Sequence, residues 1–141
     1  MPTRTITLEL PESLYTRLEQ AANATHSTLD QIIQRVVQVG SPPRWDDAPS
    51  EFQFDLAALD RMDDAALWRI ARSRARVADA ERYQDLLDKN ANDQLASDER
   101  AELIQLRAQF DRAMLCKAHA AALLRWRGYA ITLSDLSTQP Q

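Results

Sequence analysis

The sequence has few of the residues that form tight turns, disulfides or metal sites. Its 141 residues include two glycines, one cysteine and two histidines. Cys116 cannot form a disulfide within the chain, which is typical of a cytoplasmic protein. No run of about 18 apolar residues is present and the start lacks a signal-peptide pattern, so we expect no association with a membrane. The composition therefore predicts a mainly helical cytoplasmic protein with no metal or other cofactor.

The overall charge gives no attraction to nucleic acid. Seventeen basic residues face 21 acidic ones, which leaves a formal net charge of −4. Any binding to phosphate groups would have to come from a local basic patch or from two copies acting together.

One segment alternates in the way that is typical of a half-buried β-strand. Between Thr3 and Leu10, the apolar residues Ile6, Leu8 and Leu10 alternate with Thr5, Thr7 and Glu9. A lone strand cannot satisfy its own backbone groups. The sequence therefore predicts that this strand pairs with the same strand of a second copy.

Two short helices are predicted to follow the strand. The first runs from Pro11 to about Asn23, and residues 24–26 form a turn. Ser27 is expected to cap the second helix, with Asp30 three residues later in a capping-box arrangement, and Gly40 to end it.

A linker and a helical region are predicted for the rest of the chain. Residues 41–54 contain three prolines and predict a linker, with 55–131 helical and 132–141 a flexible tail. The longest helix is expected from Ser97 to about Arg127, with Gly128 ending it. Its apolar spacing favours an antiparallel hairpin with a helix at residues 78–89, and a coiled coil with another chain is the alternative.

The first 40 residues resemble the ribbon-helix-helix family of bacterial DNA-binding proteins, of the Arc and MetJ type. The stretches TITLELPESLYTRL and THSTLDQIIQRVV carry the resemblance. It implies a mostly α fold class, with an N-terminal intertwined dimer of one strand and two helices per copy and a C-terminal helical region that contains a long helix. The implied DNA-binding residues are Thr3, Arg4, Thr5, Thr7, Ser27 and Thr28. The implied dimer core is Ile6, Leu8, Leu10, Leu14, Leu18, Leu29, Ile32, Ile33, Val36 and Val37.

Two features oppose DNA contact by this segment. Glu9 occupies an outward position where the family often has a basic residue, and a carboxylate beside phosphate is unfavourable. The segment also carries three arginines against four acidic residues, a net charge of −1. A segment that only dimerises is therefore the alternative.

A basic stretch further along predicts a surface that binds a partner protein. In the sequence LWRIARSRAR, Arg69, Arg72 and Arg76 fall on one helical face beside Trp68, with Arg74 off that face, and such a face can bind phosphate or an acidic partner. A solvated helix face is the alternative. Cys116 and His119 share a helix, but one such pair is too little for a zinc site, and a packed thiol is expected.

Residues 45–131 resemble the C-terminal part of uncharacterised helical proteins of cyanobacteria and related bacteria. Together with the N-terminal resemblance, this organisation is similar to that of type II antitoxins. It implies a homodimer or higher oligomer that binds operator DNA, represses its own operon and neutralises a partner toxin such as a nuclease, rather than an enzyme. The alternative is a dimeric scaffold protein that does not bind DNA.

Overall fold

The structure, a computed structural model, describes residues 2–136 and divides between Ser41 and Pro42 into two compact units. We name residues 2–41 unit 1 and residues 42–136 unit 2. Seven helices and no β-strand are found among the described residues. The predicted mostly α class is correct in its helical part only.

The predicted strand at Thr3–Leu10 is wrong. These residues are neither helical nor paired, and every side chain in the segment is exposed except that of Leu10, which is half-buried. A ladder needs a second strand to accept and donate its backbone hydrogen bonds, and residues 2–136 contain none. The alternating pattern is also compatible with a non-helical segment whose side chains before Leu10 stay exposed. The ribbon-helix-helix assignment, its intertwined ribbon and the resemblance based on it therefore fail.

Unit 1 consists of two helices, α1 (Glu12–Ala24) and α2 (Leu29–Val39), which pack on each other. Pro11 precedes α1 with φ of −55°, the value that its ring favours. The α1–α2 turn includes His26 with a φ of 53°, and the Thr25 hydroxyl donates to the Ala21 carbonyl at 2.8 Å. Only Ala22 and Ile32 are buried among residues 2–41.

The cap of α2 differs from the prediction by one residue. Thr28, not Ser27, is the N-cap, and its hydroxyl accepts from the Gln31 backbone N–H at 3.2 Å. The Gln31 side chain accepts in return from the Thr28 N–H at 3.0 Å, so Gln31 and not Asp30 completes the capping box. A glutamine is long enough to reach back to the N-cap backbone.

Unit 2 contains five helices, and the predicted linker is shorter than expected. Phe52 is buried inside the first of these helices, whereas Phe54 is 83% exposed. Ahead of that helix, the Gln53 side chain donates to the carbonyls of Asp46 and Ala48, which fixes the loop. The helices are α3 (Ser50–Leu59), α4 (Asp64–Ala71), α5 (Val77–Ala91), α6 (Ser97–Trp126) and α7 (Leu133–Leu136).

The core of unit 2 forms where α3 and α4 pack on the C-terminal half of α6. Leu67 and Leu124 are fully buried at its centre, and Trp45 from the preceding loop packs against it. Its other buried members are Leu56, Leu59, Ala71, Ala120 and Leu123.

The predicted antiparallel hairpin of α5 and α6 is confirmed. Lys89 near the end of α5 pairs with Glu99 at the start of α6, and Arg82, about two turns earlier in α5, pairs with Glu102. Leu86 and Leu103 are buried in the same hairpin. The cap of α6 is Ala96 rather than Ser97, and the Glu99 side chain accepts from its N–H at 3.3 Å.

The chain after α6 includes a short helix at the start of the predicted flexible tail. Gly128 has a φ of 108°, a value that glycine adopts readily, and it ends α6 as expected. Within the predicted tail, Leu133–Leu136 is helical and Leu136 packs against the unit 2 core. The remainder of that tail, 137–141, lies outside the described residues. Between residues 2 and 136, every helix is too short or too polar to cross a bilayer.

Candidate interaction surfaces

The predicted DNA-binding residues form two separate groups in unit 1. Thr3, Arg4, Thr5 and Thr7 lie in the exposed segment before α1. Ser27 and Thr28 lie at the start of α2, and the Thr28 hydroxyl is engaged by its own helix. No contact in the described residues joins the two groups into one site.

The predicted dimer core is largely a solvent-exposed surface in the single chain. Ile32 is the one member that is buried, and four others are half-buried: Leu10, Leu18, Leu29 and Ile33. The remaining five are exposed: Ile6, Leu8, Leu14, Val36 and Val37. On α2, the positions of Ile32, Ile33, Val36 and Val37 follow helical spacing, so they share one face. We call these four residues the α2 apolar face.

The predicted partner-binding face on unit 2 is interrupted. Trp68 and Arg69 lie in α4, but the helix ends at Ala71, and Arg76 caps the start of α5 instead. The guanidinium of Arg72 lies 4.4 Å from the Trp68 ring centroid, and Tyr129 packs edge-on against the same ring at 5.8 Å. Trp68, Arg69 and Arg72 therefore form one shallow surface, and Arg76 belongs to another.

That other surface is a cavity of about 510 Å³ in unit 2, which we call the α5–α6 cavity. It is lined by the loop between α4 and α5, the first turn of α5 and the middle of α6, and it is open to solvent. The α6 part of the lining includes Phe110, Ala113, Met114 and Lys117, and the α4–α5 loop and its junction with α5 contribute Arg74 and Arg76. The sequence analysis placed Arg74 off the basic face. Lys117 interrupts the apolar spacing of α6, and that interruption was the available signal for a polar site here.

Lys117 fixes one wall of this cavity. Its ammonium group donates to the Ser73 carbonyl at 3.1 Å and to the Leu136 carbonyl at 3.0 Å. Two backbone acceptors from distant parts of unit 2 therefore hold a cation at the edge of an apolar surface. A lysine ammonium has three N–H donors, so one remains for another acceptor.

The cysteine and histidine of α6 are packed side chains. Burial raises the pKa of the Cys116 thiol, and the nearby Asp55 carboxylate raises it further, so the thiol is protonated at neutral pH. His119 is 7% exposed, and its Nε2 lies 2.9 Å from Oδ1 of Asp60. Within residues 2–136, no group of three or more His, Cys, Asp or Glu side chains is placed to hold a metal ion.

A polar cluster ties the end of α6 to the start of α4. Arg127 donates to the Met62 carbonyl at 2.9 Å and to Asp64 at 2.8 Å, and the Tyr129 hydroxyl donates to the other oxygen of Asp64 at 2.7 Å. Hydrogen bonds from Arg127 and Tyr129 hold the pKa of Asp64 below its usual value. The cluster positions helices and leaves no carboxylate free for acid–base chemistry at this point.

Comparisons of this chain with protein-family models, with curated proteins and with solved structures found no match.

Proposed function

We propose that this protein is a self-associating interaction protein in which unit 1 joins copies of the chain and presents unit 2 to a partner. The observation that carries the proposal is that unit 1 buries few apolar side chains and leaves others on α2 exposed. Two side chains, Ala22 and Ile32, are buried in residues 2–41, while Val36 and Val37 are 51% and 58% exposed.

So small a core does not offset the cost of ordering its chain. Ordering one residue costs about 1.5 kcal/mol in conformational entropy, whereas burying one large aliphatic side chain contributes about 1.5–3 kcal/mol. Units of about 40 residues therefore usually depend on disulfides, a metal or oligomerisation. Unit 1 contains no cysteine, and its described residues include no group of three or more His, Cys, Asp or Glu side chains placed to hold a metal ion, so of these three means association is the one that remains.

A second copy of the chain is the partner that best fits this surface. Interfaces of obligate homodimers resemble a hydrophobic core cut in half, and the α2 apolar face has that character. Unit 1 has three arginines and four acidic residues, so two copies carry only −1 each and repel weakly. In a twofold dimer both copies use the same face, so a single substitution changes the interface at two equivalent places.

Sedimentation of the full chain tests the proposal. Wild type is expected to sediment as a dimer or larger species, and Val36→Glu as a monomer, because the new carboxylate would be buried twice in the interface. Gln38→Glu is the matched control, since it places the same charge on the opposite side of α2. A wild-type monomer at about 100 μM, a concentration that populates even weak dimers, would overturn the proposal.

DNA binding, repression of an operon and neutralisation of a toxin stay predictions, as does a cytoplasmic location. The exposure of Thr3, Arg4, Thr5 and Thr7 supports access to DNA, and the net charge of unit 1 opposes it. A gel-shift assay with the promoter region at low and physiological salt tests the DNA prediction. Loss of binding in Thr5→Ala/Thr7→Ala, with oligomeric state unchanged, would support it; absence of any wild-type shift would refute it.

A further inference from the structure

The α5–α6 cavity combines an apolar surface with a set of cations. Phe110, Ala113 and Met114 of α6 provide the apolar surface, and Met114 is 62% exposed. A volume of about 510 Å³ lies within the range that is typical of sites for small organic molecules. An exposed methionine can adapt its shape to a flexible apolar ligand.

The cations of the cavity are available to a ligand. Arg74 and Arg76 form no ion pair with any residue between 2 and 136, and both are exposed. Lys117 adds a third positive charge, and Asp79 is the one carboxylate of the lining, so the cavity carries a net charge of +2. Residues 42–141 as a whole have 14 basic and 17 acidic residues. The positive charge is therefore a local property of this cavity in an acidic unit.

Contacts behind the cavity hold its walls in place without a ligand. The Tyr83 ring of α5 stacks on Phe110 with centroids 4.8 Å apart, and Lys117 fixes the Ser73 carbonyl of the loop that carries Arg74. A preformed wall lowers the ordering cost of binding.

We propose that the α5–α6 cavity binds a small amphipathic organic anion, with its carboxylate between Arg74 and Arg76 and its hydrocarbon part on Phe110 and Met114. Arginine binds a carboxylate through two parallel N–H donors. The concave apolar surface distinguishes this site from a nucleic-acid surface, which needs cations spread along a backbone rather than grouped at one cavity. The site lies within unit 2, so its test is independent of self-association through unit 1.

Octanoate is a suitable probe, with octyltrimethylammonium and 1-octanol as ligands of the same chain length but different charge. We expect titration calorimetry of the full chain to show saturable binding of one octanoate per chain, and binding of the other two to be weaker by about tenfold or more. No saturation by about 10 mM, or equal binding of the ammonium compound, would overturn the proposal.

Variants assign the binding to this cavity. Arg74→Gln/Arg76→Gln is expected to weaken octanoate binding about tenfold or more, whereas Arg107→Gln/Arg125→Gln, which removes two exposed arginines of α6 that do not line the cavity, is expected to bind as wild type does. Asp79→Asn is expected to tighten binding because it removes the one carboxylate of the lining, a gain that misfolding cannot produce. Wild-type affinity in the Arg74/Arg76 variant, or weaker binding in Asp79→Asn, would place the anion elsewhere.

Discussion

Leu67 lies at the centre of the unit 2 core and has no exposed surface. Leu67→Ala removes buried methyl groups and leaves a cavity, so we expect it to lower the free energy of unfolding by about 2–5 kcal/mol. Urea denaturation followed by tryptophan fluorescence measures this. Ile104→Ala is the control, because Ile104 is 65% exposed on α6 and its loss should change stability by no more than about 0.5 kcal/mol. Equal effects of the two substitutions would contradict the assigned core.

His119 is the buried polar residue of the same region, and Asp60 is its partner at 2.9 Å. Asp60→Ala leaves the buried ring nitrogen without its partner, which we expect to cost about 1–3 kcal/mol in the free energy of unfolding. Replacing both groups, as in Asp60→Ala/His119→Leu, removes the unpaired nitrogen as well. The double variant is therefore expected to lose less than the sum of the single variants, and strict additivity would show that the pair contributes nothing.

At the scale of helices, the turn between α5 and α6 is held by ion pairs that depend on pH. The hydrogen bond from Lys89, and after it one from the Ala96 N–H, hold the pKa of Glu99 below its usual value; Arg82 does the same for Glu102. A carboxyl group with a lowered pKa in the folded state stabilises that state above its unfolded pKa, near 4.3. That contribution is lost as the pH falls through the folded value.

We therefore expect the melting temperature of wild type to fall between about pH 6 and pH 3, and to fall less in Glu99→Gln, which has no carboxylate to protonate at this position. Circular dichroism at a series of pH values measures the difference. Glu81→Gln is the control, since Glu81 is an exposed residue of α5 that forms no ion pair with any residue from 2 to 136. A pH dependence in Glu99→Gln as steep as that of wild type would contradict this role.

Helix ends show which parts of an element can be read from a sequence. Gly128 ended α6 where expected, because glycine adopts a positive φ easily and the signal is local. The end of α4 at Ala71 has no such signal, since neither glycine nor proline follows in RSRAR. There the Ser73 hydroxyl donates to the Ile70 carbonyl and Lys117 of α6 binds the Ser73 carbonyl. A contact from 44 residues away is not visible in a local pattern, so the arginines were assigned to one face.

At the scale of the whole molecule, the two helices of unit 1 and the helical hairpin of α5 and α6 were predictable, and the conformation of residues 3–10 was not. The hairpin follows from the regular spacing of apolar side chains on two neighbouring helices, because each helix needs the other to bury those side chains. The strand predicted at Thr3–Leu10 required a pairing strand from a second chain. The sequence pattern of one chain does not show whether that pairing forms. The α5–α6 cavity was missed for a related reason, because Arg74, Arg76 and Lys117 meet only after three elements have packed.

The two units should also differ in how their stability depends on protein concentration. If unit 1 is completed by a second copy, dilution destabilises it by mass action, whereas unit 2 has its own core. All three tryptophans, Trp45, Trp68 and Trp126, lie in unit 2, so tryptophan fluorescence reports that unit alone, while circular dichroism at 222 nm, the usual helical band, reports both. We expect part of the dichroism melt to shift to lower temperature on about hundredfold dilution while the fluorescence melt stays in place. Fluorescence and dichroism melting curves that coincide, and that do not shift with protein concentration, would show that unit 1 is stable without a second copy.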